Sequence, residues 1–161
     1  MVSIGAFVGG NKDIIQFLRY NLRSQIFAKS LPMPIVEGNI KRLELLRKNP
    51  SFKDKLWENV TMLQQGLRKK GFDLGNTQSC VTPVFMHGTP EEAGNLVKDL
   101  RENYNVFCSV VLYPVVPKDV ILLRLIPTAS HTKKDIEETI FAFGKIAEKL
   151  KAGMYDSAKV I

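Results

Sequence analysis

Cysteine is scarce: Cys80 and Cys108 are the two in 161 residues, without metal-ligand spacing. That argues against a disulfide framework or a cysteine-built zinc site, and leaves two reduced, buried thiols in a protein of cytosolic type. Long apolar runs are lacking too. Nothing approaches the roughly 20 residues of a membrane span. The opening MVSIGAFVGG has neither the basic start nor the long apolar core of a secretory leader. No strand-like stretch carries the paired aromatics on which an RNA-recognition sheet stacks bases, since Phe85 and Phe107 stand singly. Histidine is limited to His87 and His131. His87 closes a strand-like run with no assignable partner and reads as a turn or surface residue.

What is present is ordinary globular material, 45% hydrophobic and 24% charged, enough for one core and an appended element. The net charge of +7 is spread among acids rather than clustered, so nucleic acid is not the expected partner.

Along the chain, Ser3 to Val8 reads as a short buried strand ended by Gly9-Gly10. Asn11 is a helix N-cap, followed by Ile14, Ile15, Leu18 and Leu22 on one helical face. Pro32 and Pro34 mark a second helix entry, and the stripe Ile35, Val36, Ile40, Leu43, Leu46 predicts a helix to Lys48. After Asn49-Pro50, Ser51 caps a long helix with Leu56, Val60, Leu63 and Leu67 inward, ended by Gly71. Trp57 on that helix reads as packing. Val81 to His87 is the next strand, placed at an edge or a strand start by Pro83. Thr89-Pro90-Glu91-Glu92 has the form of a capping box and starts a helix to about residue 103. Val106–Leu112 and Val120–Ile126 are strands. Thr132 and Asp135 cap a last helix with Ile136, Ile140, Phe143, Ala147 and Leu150 inward, and from Gly153 the chain is expected to fray. The order β-α-β-β-α predicts an α+β fold, a small, mainly antiparallel sheet with helices on one face.

The apolar run Val120–Ile126 is broken by one cation, Arg124. A guanidinium there is costly unless it meets an anion or several acceptors, lies on a solvated face, or pairs with a structural Asp or Glu. Its planar fork suits a carboxylate. The words around it carry more. IGAFVGG (residues 4–10), SLPMP (30–34), YPVVPK (113–118) and LLR followed by SHT (122–132) occur in this order. Together they resemble the C-terminal part of the α-oxoamine synthases: glycine C-acetyltransferase, 8-amino-7-oxononanoate synthase, 5-aminolevulinate synthase and serine palmitoyltransferase.

That resemblance implies a pyridoxal 5′-phosphate (PLP) enzyme of fold type I, a homodimer. It condenses glycine, serine or alanine with an acyl-CoA and releases CoA and usually CO2. Arg124, seven residues before His131, matches the arginine that binds the amino-acid carboxylate. Ala28, Lys29 and Ser30 match the segment that helps hold the cofactor phosphate across the dimer. The family often has hydroxyl side chains where Ala28 and Lys29 stand, so a backbone N–H or the Lys29 ammonium takes the contact. Read locally, Lys29 is a solvated residue and Ser30 a turn residue. The Schiff-base lysine is expected a few residues upstream of Met1, which makes this piece inactive alone and without bound cofactor. His131, at a helix entry, is expected to make a structural hydrogen bond. Residues 1–71 would end the large domain and supply connecting helices, 72–153 would form the small domain, and 154–161 a tail. The basic balance would suit the phosphates of coenzyme A. YPVVPK favours glycine C-acetyltransferase, while LLR, with Leu122 in place of an arginine, favours serine palmitoyltransferase. The alternatives are a ferredoxin-like binding module whose basic surface would take RNA, and a scaffold subunit that lacks the lysine.

Overall fold

Short-range chemistry fixes where the helices begin. Asn11 accepts the Asp13 N–H at 2.9 Å and starts α1 (Lys12–Asn21). Thr89 and Glu92 form a full capping box at α5 (Pro90–Tyr104), as do Thr132 and Asp135 at α6 (Lys133–Lys151). Between these lie α2 (Arg23–Ile26), α3 (Met33–Lys48) and α4 (Ser51–Lys69), with strands β1 (Thr82–His87), β2 (Ser109–Val111) and β3 (Val120–Leu125). The computed structural model describes residues 4–155. It divides into two compact units, Met1–Pro50 and Ser51–Ile161.

In the N-terminal unit no residue of α1, α2 or α3 is buried. The expected strand at Ser3–Val8 does not form over the described part of that stretch, Ile4–Val8. Ile4, Phe7 and Val8 are exposed. A strand needs a neighbour to take its backbone groups, and no described residue pairs with these.

The C-terminal unit holds the core. The sheet order is β1-β3-β2, all antiparallel, with β1 at an edge as Pro83 required. Val84, Ile121, Leu123 and Leu125 point to one face, where Leu63 and Leu67 of α4, Leu96 and Leu100 of α5, and Ile136, Phe143 and Ile146 of α6 cover them. This is the α+β layer the sequence predicts. The α6 stripe sits slightly off its expected line, with Ala142 and Ile146 buried and Ala147 and Leu150 half-buried. α4 and α6 approach closely at Gly66, where a Cβ would lie 2.3 Å from Ile140 Cδ1. Gly71 ends the α4 region in a left-handed turn, φ 88°. β2 is shorter than expected because the Val106 N–H bonds Leu100 O, closing α5 instead of joining the sheet.

The expected fraying from Gly153 is corrected at Tyr155, which is buried. Its hydroxyl donates to Asp99 Oδ2. Lys149 Nζ donates to both Asp99 oxygens, at 3.0 and 2.7 Å, and Asn103 Nδ2 donates at 2.7 Å. Burial alone would raise the Asp99 carboxyl. The hydrogen bonds from Lys149, Tyr155 and Asn103 outweigh it and hold the group below its usual range. The rest of the expected tail, 156–161, lies outside the described residues.

Candidate functional site

Strand alternation divides β3 between two faces. Ile121, Leu123 and Leu125 go into the core, so Val120, Leu122 and Arg124 take the uncovered face. Arg124 is directly opposite Pro83 on one side and Ser109 on the other. Its Nε–H donates to Ser109 Oγ at 3.2 Å. Among the described residues no Asp or Glu oxygen comes within salt-bridge distance of it. Arg124 is therefore exposed on the open face, without a structural counter-ion. A guanidinium held at Nε and open at both terminal nitrogens can take a carboxylate in two parallel hydrogen bonds.

The turn after β3 is tied down from within. Asn59 of α4, 2% exposed, donates Nδ2–H to Thr128 O at 3.0 Å and to His131 O at 2.9 Å. His131 Nδ1 accepts the Thr128 N–H at 3.0 Å, which leaves the proton of the neutral ring on Nε2. This is the structural hydrogen bond expected of His131. Thr132 then starts α6. Its backbone N–H and its hydroxyl hold the Asp135 carboxyl below the usual range. Sequence reasoning missed Asn59. The available signal was a polar residue four positions before Leu63, inside an apolar helical stripe.

A cavity of about 400 Å³ opens beside this turn, walled by Val106, Phe107, Leu125, His131, Asp135 and Thr139 among others. Arg124 is not part of its wall. Cys108 is buried, and burial pushes its thiol up to about 11, so it rests as the thiol rather than the thiolate near neutral pH. Among the described residues no group of three His, Cys, Asp or Glu side chains could hold a metal ion. No helix of the described residues is long and apolar enough to cross a membrane.

Ala28, Lys29 and Ser30 lie in the N-terminal unit, on the segment between α2 and α3, all exposed. Their backbone N–H groups have no backbone acceptor among the described residues. Three successive free N–H donors, a hydroxyl and an ammonium make a donor set that fits a phosphate. They belong to a different unit from Arg124 and Ser109.

Residues 2–143 match the family described as Aminotransferase class I and II. Over 155 residues the chain is 57% identical to the cysteate-C-fatty acyltransferase of Capnocytophaga ochracea, spanning 96% of this chain and 37% of that protein. It is 32% identical to the 8-amino-7-oxononanoate synthase of Thermoanaerobacter pseudethanolicus over 91% of this chain and 37% of the relative. The serine palmitoyltransferase of S. paucimobilis solved with bound PLP superposes with a TM-score of 0.70 at 25% identity, covering 85% of this chain and 34% of that one. The chain thus spans just over a third of the length of these relatives. Their names are those of acyltransferases and synthases, and they give the reading as an RNA-binding module no support. With most of its length inside the family match, the chain belongs to the aminotransferase class I and II family, in company with the α-oxoamine synthases it resembles.

Proposed function

We propose that this chain is the substrate-clamping part of a PLP-dependent acyltransferase that condenses an amino acid with an acyl-CoA, releasing CoA and usually CO2. The observation that carries the reading is Arg124, exposed on an open sheet face with no acid in salt-bridge distance among the described residues. Its role is to hold the amino-acid carboxylate and so fix which bond lies ready to break. A charge-assisted contact of this kind contributes about 1.5–3 kcal/mol. PLP, when bound, serves as the electron sink for the amino acid's α-carbon. Ala28, Lys29 and Ser30 would hold its phosphate through their free N–H groups, the ammonium and the hydroxyl, across a homodimer.

The lysine that would carry the cofactor stands upstream of Met1 in this reading, so the 161-residue chain alone is inactive. Residues 1–71 then end the large domain and supply connecting helices, of which α4 packs onto the small domain of residues 72–153. The whole protein works in the cytosol. Identity of 57% to a cysteate-C-fatty acyltransferase, against 32% to an 8-amino-7-oxononanoate synthase, favours a fatty acyl donor and adds cysteate to glycine, serine and alanine as the amino acid.

The test uses the whole PLP-loaded polypeptide with a fatty acyl-CoA and each amino acid in turn. Arg124→Ala should raise the amino-acid KM about 10- to 100-fold while cofactor binding is kept. An unchanged KM would remove Arg124 from the site. Turnover of glycine, serine or alanine but not of cysteate would strike cysteate from the candidate amino acids.

A further inference from the structure

The open face of the sheet is laid out in rows. One row is Pro83, Arg124 and Ser109; the next is Phe85, Leu122 and Val111. The second row is wholly apolar. In the first, the Pro83 side chain has no acceptor to offer, so Ser109 carries the one side chain opposite Arg124 able to accept from the guanidinium. Its Oγ accepts the Nε–H at 3.2 Å and has no other partner among the described residues.

The choice of nitrogen matters. A guanidinium can meet a carboxylate side-on, through Nε and one terminal nitrogen, or end-on, through both terminal nitrogens. With Nε already engaged, the end-on pair remains, aimed along the side chain and away from β2. Holding the plane in advance also removes part of the ordering cost that a long, flexible side chain would otherwise meet on binding.

We infer that Ser109 is a positioning residue for amino-acid recognition: its hydroxyl fixes the plane of the Arg124 guanidinium so that the end-on pair receives the carboxylate. The inference rests on the reading of Arg124 as the carboxylate ligand. It requires a donor at the Nε position, which arginine has and lysine lacks.

The experiment compares Ser109→Val with Ser109→Thr in the whole PLP-loaded protein. The two differ by a hydroxyl at nearly constant shape, and both residues suit a strand. KM and kcat are measured for the amino acid, and its equilibrium affinity by calorimetry. Ser109→Val should raise KM and the dissociation constant together, about 3- to 10-fold, the size of one lost hydrogen bond, with the loss falling on KM rather than kcat. Ser109→Thr should stay within about twofold of the unaltered protein, since it restores the acceptor. In an Arg124→Lys background, Ser109→Val should add nothing. Ser109→Ala, which adds no volume, repeats the test should the valine disturb folding. Equal KM for the Val and Thr variants, a loss confined to kcat, or an undiminished effect in the lysine background would each overturn the inference. If Arg124→Ala raises KM while Ser109→Val and Ser109→Ala are silent, Ser109 is wrong and the reading of Arg124 stands. If Arg124→Ala itself is silent, the reading of Arg124 fails.

Discussion

The two units use the same helical grammar to different ends. α1 is capped and amphipathic, and α6 is capped and amphipathic. Yet α1 buries nothing, while α6 places Ile136, Ala142, Phe143 and Ile146 in a core. A sequence pattern specifies which face of a helix wants cover. Whether cover exists depends on what the chain can bring to that face. In the C-terminal unit the sheet and two further helices supply it. In the N-terminal unit Ile14, Phe17, Ile26, Phe27 and Ile40 have none among the described residues.

The strongest way to break this comparison is to truncate one aromatic in each unit of the 161-residue chain and follow urea unfolding. Phe143 is fully buried and meets Phe72 edge to face at 5.3 Å. Phe143→Ala should cost about 3–5 kcal/mol. Phe17 is 64% exposed, and Phe17→Ala should change the same transition by less than about 0.5 kcal/mol. Comparable losses would mean that α1 is covered after all.

A smaller effect is expected at Asp99, whose side chain is 11% exposed. Asp99→Ala strands the Lys149 ammonium and the Tyr155 hydroxyl and should cost about 2–3 kcal/mol at neutral pH. The sign of the pH dependence follows from the shifts. The folded carboxyl titrates below its ordinary 3.8, so its contribution is full above that value and is lost as pH falls through the folded one. Lys149, raised by its hydrogen bond to Asp99, and Tyr155, raised by burial and then by the same carboxylate, behave oppositely. Their contributions are full below the ordinary values of 10.5 and 10.0 and are lost as pH climbs through the folded ones. Unfolding midpoints across pH should show a plateau bounded at both ends, and Asp99→Ala should lower that plateau. A variant with an unchanged pH profile would count against the cluster.

The smallest effect sharpens the contrast between caps. Thr132→Ala removes the hydroxyl that accepts the Asp135 N–H and donates to its carboxylate at the start of α6, and should cost about 1 kcal/mol in the same unfolding transition. Asn11→Ala removes the cap of α1 and should leave that transition in place while lowering helicity by circular dichroism. Equal shifts would show one cooperative unit rather than two.

Capping explains how much of the fold was legible. Thr89 with Glu92, Thr132 with Asp135, and Asn11 act within a few residues of themselves, so their helices could be read directly. The strands β1 and β3 announced themselves by β-branched and proline punctuation. Features set by distant partners were not legible. Ser3–Val8 has strand composition, but no pattern in the sequence says what it pairs with. Asn59 holds carbonyls 69 and 72 residues away, and Tyr155 reaches Asp99 across 56. In the candidate site, Arg124 stood out as a charge in an apolar run. Ser109 did not, because being opposite Arg124 is a property of strand register.

Pro83 marks the position of β1 in the sheet, and it also governs what the sheet can attach to. The Phe85 N–H points away from β3 and is taken by Asp73 O at 2.9 Å, so the alternate positions 83 and 87 face outward as well. At 83 there is no hydrogen to offer. Along its outer rim β1 is left with His87 as its one unclaimed main-chain donor among the described residues, too little to template another strand. That rim is poor in donors, and a second copy of the chain would find there only a broken ladder to pair with.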